Sequence, residues 1–172
     1  MPTPISKNSQ NPPRYAHLKR LPNWQIRLNR FIVESVEQGQ KLALDWHDIT
    51  CCSWTAQWVE AITGVNPYVG AGYEGKHSTP AEAAKLILRD GYNTFDEVLE
   101  SFFTEVPPIM AHRGDICLVG VRDIPEDIPY DRVVIPHAVG GVDDYFFWVV
   151  NPEGLARGKK DQILRSFIIG ER

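Results

Sequence analysis

The sequence predicts an α+β fold in which N-terminal helices pack on a small antiparallel sheet or a partly closed barrel. Between residues 23 and 104, apolar side chains recur at helical spacing and capping residues flank each segment. From residue 115 onward, the chain has short apolar runs separated by glycine, proline and aspartate, which are typical of strands. Helices followed by strands in this order are characteristic of α+β proteins.

Four helices are predicted from their start and stop signals. Thr50 or Asp48 can cap the second helix, and Gly64 can end it. The third and fourth begin with capping boxes, in which a threonine is followed three residues later by a glutamate. The predicted helices span residues 23–38, 51–63, 80–90 and 94–104.

Four strands are predicted from short runs of β-branched, aromatic and aliphatic residues. The runs are "DICLVGV" (115–121), "RVVI" (132–135), "YFFWVV" (145–150) and "ILRSFII" (163–169). Residues 1–13 are rich in proline and polar residues, so we expect a flexible arm, or one that becomes ordered on a partner. Residues 14–172 then form a single domain.

Composition excludes several functional classes. The net charge of −4 and the scarcity of basic clusters argue against nucleic acid as a partner. No apolar run is long enough to span a bilayer, and the N-terminus lacks the apolar region of a secretory signal. Three cysteines, two of them adjacent, make a poor disulfide framework and suit a reducing compartment. We therefore expect synthesis in a cytoplasm.

Two adjacent thiols open the second predicted helix. A thiol at a helix N-terminus is exposed to the positive end of the helix dipole, which favours the nucleophilic thiolate. Cys51 and Cys52 point about 100° apart around the helix axis. Cys51 fits the apolar stripe of this helix better, so Cys52 is the candidate nucleophile.

A nucleophilic cysteine needs a base and a group that orients the base. His137 lies in the largely apolar run "VVIPHAVGG" and is the candidate base. Asn151 is the first candidate to orient its ring, with Asp143 and Asp144 as alternatives. A half-buried histidine held by a backbone carbonyl is an equally simple interpretation of His137.

Aromatic residues flank the candidate nucleophile. Trp46, Trp54 and Tyr73 are predicted to line a groove for a peptide or a sugar, although hydrophobic loop packing explains them as well. The sequence has no C-x-x-C pair, no H-E-x-x-H and no glycine-rich phosphate motif. We therefore predict no metal and no cofactor.

Three blocks in order resemble the NlpC-type papain-like cysteine peptidases, whose motifs read roughly D-C-S-G-F, G-D-hydrophobic and H-V-G-I. The counterparts here are "CCSWT" with Cys52, "RGDICLV" (113–119) and "HAVGG" (137–141). The chain is more similar still to a phage- and prophage-associated subgroup of that fold, through "HDITCCSWTAQWVEAITGVNP" and the blocks that follow it over residues 20–170. The resemblance implies an NlpC-like papain fold.

The chain departs from the active peptidases at three places. Cys51 replaces the aspartate before the nucleophile, and Trp54 stands where a glycine is usual. The subgroup often has alanine at the position of the catalytic histidine. If Ala138 occupies that position, His137 is displaced by one residue and turns to the other face of its strand.

The resemblance implies two functions, and both remain open. In the first, the chain is a phage-tail-associated cysteine peptidase that cleaves peptidoglycan stem peptides during infection. Cys52 attacks the carbonyl, and His137, oriented by Asn151 or Asp144, acts as base and then acid. In the second, it is a catalytically silent structural subunit of a tail tip or baseplate. Either way, the implied partners are other tail proteins, with peptidoglycan as substrate in the first case, and the implied location is the virion.

Overall fold

The computed structural model describes residues 11–120 and 137–171, which form helices first and strands second. The helices are α1 (Trp24–Gln38), α2 (Cys51–Thr63), α3 (Pro67–Gly70), α4 (Pro80–Arg89) and α5 (Phe95–Phe102). The strands are β1 (Thr104–Val106), β2 (Ile116–Gly120), β3 (His137–Asp143), β4 (Phe146–Asn151), β5 (Gly154–Lys159) and β6 (Ile163–Ile168). The predicted α+β class is confirmed.

The strands form one antiparallel sheet in the order β1-β6-β2-β3-β4-β5. Strands β1 and β5 are its two edges, so the described strands form an open sheet and not a closed barrel. Consecutive strands β2 to β5 are neighbours, whereas β6 crosses back to lie between β1 and β2. This crossing places β2 in the middle of the sheet, where all its residues except Gly120 are buried.

Most predicted elements are confirmed, and the differences have local causes. The fourth predicted helix, which is α5 in the structure, ends at Phe102 and not at residue 104, because Phe103 is extended and leads directly into β1. Strand β5 was not predicted, since its sequence "GLARGK" has no apolar run and owes its pairing to β4. The predicted strand at 132–135 and most of the predicted arm lie outside the described residues. No helix in the described part is long and apolar enough to cross a bilayer.

Helix α2 is held in register against β3. Trp58 is fully buried, and its Nε1 donates to the carbonyl of Gly114 at 3.1 Å. Its indole lies so close to Gly141 that a Cβ there would approach ring atoms to 2.4 Å. One turn earlier, Thr55 Oγ1 donates to the carbonyl of Val139 at 3.1 Å. The N-terminus of α2 therefore lies towards the His137 end of β3.

A buried ion pair joins the segment before α1 to the sheet. The guanidinium of Arg20 contacts Asp115 Oδ1 at 3.0 Å, and Asp115 has no exposed surface. The same carboxylate accepts the backbone N–H groups of His112 at 2.8 Å and Ile169 at 3.2 Å. Asp115 belongs to the "RGDICLV" block, and in the structure it links three distant segments of the chain.

Candidate active site at the N-terminus of helix α2

A capping box fixes the first turn of α2. Thr50 is extended, and its Oγ1 accepts the N–H of Ser53 at 2.9 Å. The Ser53 hydroxyl in turn accepts the N–H of Thr50 at 2.9 Å. Cys51 and Cys52 are therefore the first two helical residues, where backbone N–H groups lack helical partners. This local arrangement places both thiols at the positive end of the helix dipole.

The two thiols contact each other, and each affects the pKa of the other. Their sulfur atoms are 4.0 Å apart, Cys51 is buried and Cys52 is half-buried. The Cys52 S–H, followed by the backbone N–H of Val139, lowers the pKa of Cys51, against the opposing effect of burial. The same contact with Cys51, together with burial, raises the pKa of Cys52 well above its usual value. The sequence predicts Cys52 as the nucleophile, whereas these contacts favour Cys51 as the first thiol to ionise.

Two clefts of about 530 and 400 Å³ adjoin the thiols. Cys52 lines both, and Cys51 lines the larger one. Of the residues predicted to line a groove, Trp46 lines the larger cleft and Tyr73 lines both. Trp54 does not: it is buried in the core against Phe31 and Trp58, contrary to that expectation.

His137 lies at the start of β3 and points to the helical side of the sheet. Its Nδ1 is 2.8 Å from Oδ2 of Asp96, in the first turn of α5. A Cβ on Gly141 would point at Trp58 of α2, and alternate residues share a face of a strand, so His137 is not turned away from the helices. Within the described residues, however, no hydrogen bond joins its ring to either thiol.

Asp96 orients the histidine, a role for which the sequence suggested other residues. The Asn151 side chain instead accepts the N–H of Glu153 at 2.9 Å. Asp143 and Asp144 lie at the opposite end of β3, where Asp143 binds Arg113 at 2.7 Å. The candidate roles of Asn151 and Asp144 thus have no contact with His137 to support them among the described residues.

Asp96 is buried, and its surroundings hold the carboxylate in place. Arg165 Nη1 is 3.5 Å from Oδ2, and this arginine also binds Glu100 at 2.8 Å and Glu105 at 2.6 Å. In the part of the chain that the structure describes, Oδ1 of Asp96 has no hydrogen-bond partner. In the sequence, Asp96 lies inside the second capping box. That pattern predicted a helix start and gave no sign of a contact with His137.

A second histidine adjoins the thiols and was also missed. His77 is 7% exposed, and its Nδ1 donates to the carbonyl of Trp46 at 2.8 Å. Its Nε2 therefore accepts the hydroxyl of Tyr68 at 2.6 Å. Burial raises the pKa of Tyr68, so this hydroxyl stays protonated. Both rings line the larger cleft beside Cys52.

Comparison with known proteins gives a family but no function. A family model described as a domain of unknown function, DUF6950, matches residues 19–169. The chain belongs to the DUF6950 family. No curated protein and no solved structure matches the chain. The part matched to DUF6950 contains the thiols, both histidines and Asp96, so the whole candidate site lies inside the family domain.

Replacing Tyr68 with phenylalanine is expected to lower the free energy of unfolding by about 1–3 kcal/mol. The variant keeps the ring but leaves Nε2 of the buried His77 without a partner. Urea unfolding followed by circular dichroism measures the change. Tyr145→Phe, at an 80% exposed position, is the matched control and should change it by less than about 0.5 kcal/mol. Equal effects in the two variants would contradict a structural role for the Tyr68–His77 bond.

Proposed function

We propose that this DUF6950 chain is a cysteine-dependent acyl-transfer enzyme of the peptidase or amidase type. The observation that carries the proposal is the pair formed by His137 and the buried Asp96, at the end of β3 towards which the thiol-bearing N-terminus of α2 points. An imidazole oriented by a carboxylate is the base that a cysteine nucleophile needs. The described residues show no hydrogen bond between His137 and a thiol. This does not argue against the pair, because catalytic hydrogen bonds often tighten only when substrate binds.

The reaction proceeds in two steps. His137 takes the proton of the Cys51 thiol, the resulting thiolate attacks the substrate carbonyl, and backbone N–H groups at the start of α2 stabilise the oxyanion. The carbon–nitrogen bond breaks as the leaving amine takes a proton from His137, which leaves a thioester on the enzyme. His137 then removes a proton from water, the hydroxide attacks the thioester, and the free acid leaves while the thiol is restored. Before the attack, the raised pKa of Cys52 keeps its thiol protonated next to the Cys51 sulfur.

The resemblance to NlpC-type peptidases supports a more specific version. In that version the fold is NlpC-like, the substrate is a peptidoglycan stem peptide, and the protein acts in a phage tail with other tail proteins as partners. The order of the blocks around Cys52, Asp115 and His137 supports it. So does the position of the thiols at the start of a helix that packs on the strand bearing the histidine.

Alkylation of the thiols by iodoacetamide as a function of pH tests the thiol–imidazole pair. We expect one thiol to react with a midpoint below the usual cysteine pKa of about 8.5. This step should be lost in Cys51→Ser and retained in Cys52→Ser, since the serine hydroxyl can still donate to Cys51. His137→Ala should move the midpoint upward, while His17→Ala, at an exposed position, should leave it unchanged. An alkylation profile that is the same in His137→Ala and in the wild-type protein would refute the thiol–imidazole pair.

Cleavage of purified peptidoglycan tests the more specific, peptidoglycan-cleaving version of the proposal. We expect His137→Ala to lower kcat/KM by about 10²- to 10⁴-fold, as for loss of a general acid–base group. Cys51→Ser should abolish release of peptides. Cleavage that survives in both Cys51→Ser and Cys52→Ser would overturn the peptidase assignment.

Two observations favour the alternative, a catalytically silent structural subunit. In the described parts of the chain neither thiol is hydrogen-bonded to His137, and the pKa of Cys52 is raised. If the protein is a silent subunit, the Cys51→Ser and Cys52→Ser variants should assemble with tail proteins as well as the wild-type protein does. Co-purification with an assembled tail, combined with inert thiols, would support it over the enzyme.

A further inference from the structure

The larger cleft has two thiols and an otherwise apolar wall. Cys51 and Cys52 line it beside Thr50, Tyr68 and His77, whose polar atoms are hydrogen-bonded within the protein. The rest of the lining is aliphatic or aromatic and comes mainly from α4, the loop before α2 and the start of α5: Leu44, Ala83, Leu86, Ile87 and Phe95. A group that enters this cleft therefore meets the thiols on one side and hydrocarbon on the other.

The aliphatic wall of the cleft offers no partner to an ionic group in the part of the chain that the structure describes. No aspartate, glutamate, lysine or arginine is found among the described residues that line it. Among those residues His77 is the only basic side chain, and both its ring nitrogens already bind within the protein, to Trp46 and Tyr68. A charge placed against the wall would lose its water without gaining a partner, which is strongly unfavourable. The wall therefore selects against a charged chain.

The extent of the apolar wall also bears on the ligand. Helix α4 and the start of α5 present four hydrocarbon side chains to the cleft: Ala83, Leu86, Ile87 and Phe95. A chain of several methylene groups can contact more of this wall than a single methyl group, and it removes more apolar surface from water.

We infer that the larger cleft binds the uncharged aliphatic acyl chain of the substrate, with the acyl carbonyl beside Cys51 and the chain against Ala83, Leu86 and Ile87. This inference rests on the proposed thiol chemistry and names its substrate class, an ester, thioester or amide of an aliphatic acid. The thiolate sulfur bonds to the acyl carbon, the bond to the leaving group breaks, and the leaving alcohol, thiol or amine takes the proton from His137. Charged parts of the substrate remain outside the cleft.

Binding of simple amides tests the inference without any turnover. We expect the affinity of the wild-type protein to rise about threefold to fourfold per added methylene from butanamide to octanamide, as expected for burial of hydrocarbon. Two ligands carry a charge at the far end of the same chain and keep the amide: 8-aminooctanamide and the monoamide of octanedioic acid. Both should bind at least about tenfold more weakly than octanamide, because Ala83, Leu86 and Ile87 offer that charge no partner. Isothermal titration calorimetry at pH 7 gives the dissociation constants, and intrinsic tryptophan fluorescence, to which Trp46 of the lining contributes, gives a second signal.

Variants on α4 locate the site. Leu86→Phe and Ala83→Leu place extra volume in the cleft and should weaken octanamide binding by at least about tenfold. Leu88→Phe lies on the exposed side of the same helix and should leave the affinity unchanged. The chain-length series on the wild-type protein keeps the test decisive if a filled variant does not fold.

Each outcome separates the two proposals. Equal affinity for charged and uncharged ligands, no dependence on chain length, or no effect of either filling variant would overturn the acyl-chain cleft. None of these results would touch the thiol–imidazole pair, which is tested by alkylation. Conversely, chain-length-dependent binding in a protein with inert thiols would support the cleft as a binding site and refute the enzymatic proposal.

Discussion

Asp115→Ala is expected to lower the free energy of unfolding by about 3–5 kcal/mol, the usual cost of removing one partner of a buried ion pair. Asp115 is fully buried, and its carboxylate binds the guanidinium of Arg20 and two backbone N–H groups. Alanine would leave the cation and both N–H groups without this acceptor. Urea unfolding monitored by circular dichroism measures the loss.

Two further variants show whether the loss of stability comes from the ion pair. Asp161→Ala, at an exposed position, is the control and should change the free energy of unfolding by less than about 0.5 kcal/mol. Asp115→Asn keeps the shape and one acceptor oxygen, so it should fall between the control and the alanine variant. A loss below about 1 kcal/mol for Asp115→Ala would mean that the ion pair does not hold the segment before α1 to the sheet.

Gly141→Ala is expected to destabilise the protein by about 3 kcal/mol or more, the upper range for overpacking a core. The new Cβ would lie 2.4 Å from ring atoms of Trp58. This indole cannot move aside easily, since it is fully buried and hydrogen-bonded to Gly114. Thermal and urea unfolding report the change.

The matched control is Gly120→Ala in the neighbouring strand β2. A Cβ on Gly120 meets no atom of the described residues within 4 Å, so its effect should stay within about 0.5 kcal/mol. The Trp58–Gly141 contact also sets the register of α2 against β3. Under the proposed function, Gly141→Ala should therefore slow thiol alkylation in the fraction that remains folded, whereas Gly120→Ala should not. Similar stability of the two variants would contradict this packing.

Local signals in the sequence predicted the helices well. Thr50, Thr79 and Thr94 each accept the N–H three residues on, as their capping patterns require. Such bonds join residues close in sequence, so a short window contains all the information that they need. Strand β5 was missed for the opposite reason: it depends on pairing with β4 and carries few apolar residues of its own.

The candidate site was only half visible in the sequence. Cysteine at a helix start and histidine beside a strand are local features, and both were recognised. Asp96, which holds His137, is 41 positions away from it in the chain, and sequence spacing cannot indicate that contact. His77 looked like an ordinary loop residue until the fold buried it between Trp46 and Tyr68.

The sequence by itself determined the α+β class, the helix caps and the position of two thiols at the start of α2. These features depend on hydrophobic periodicity and on bonds between near neighbours. Only the tertiary structure decided which carboxylate contacts His137 and that Trp54 belongs to the core. Each of these depends on residues brought together by the packing of α2, α5 and β3, and burial and electrostatic interactions act through space and not along the chain.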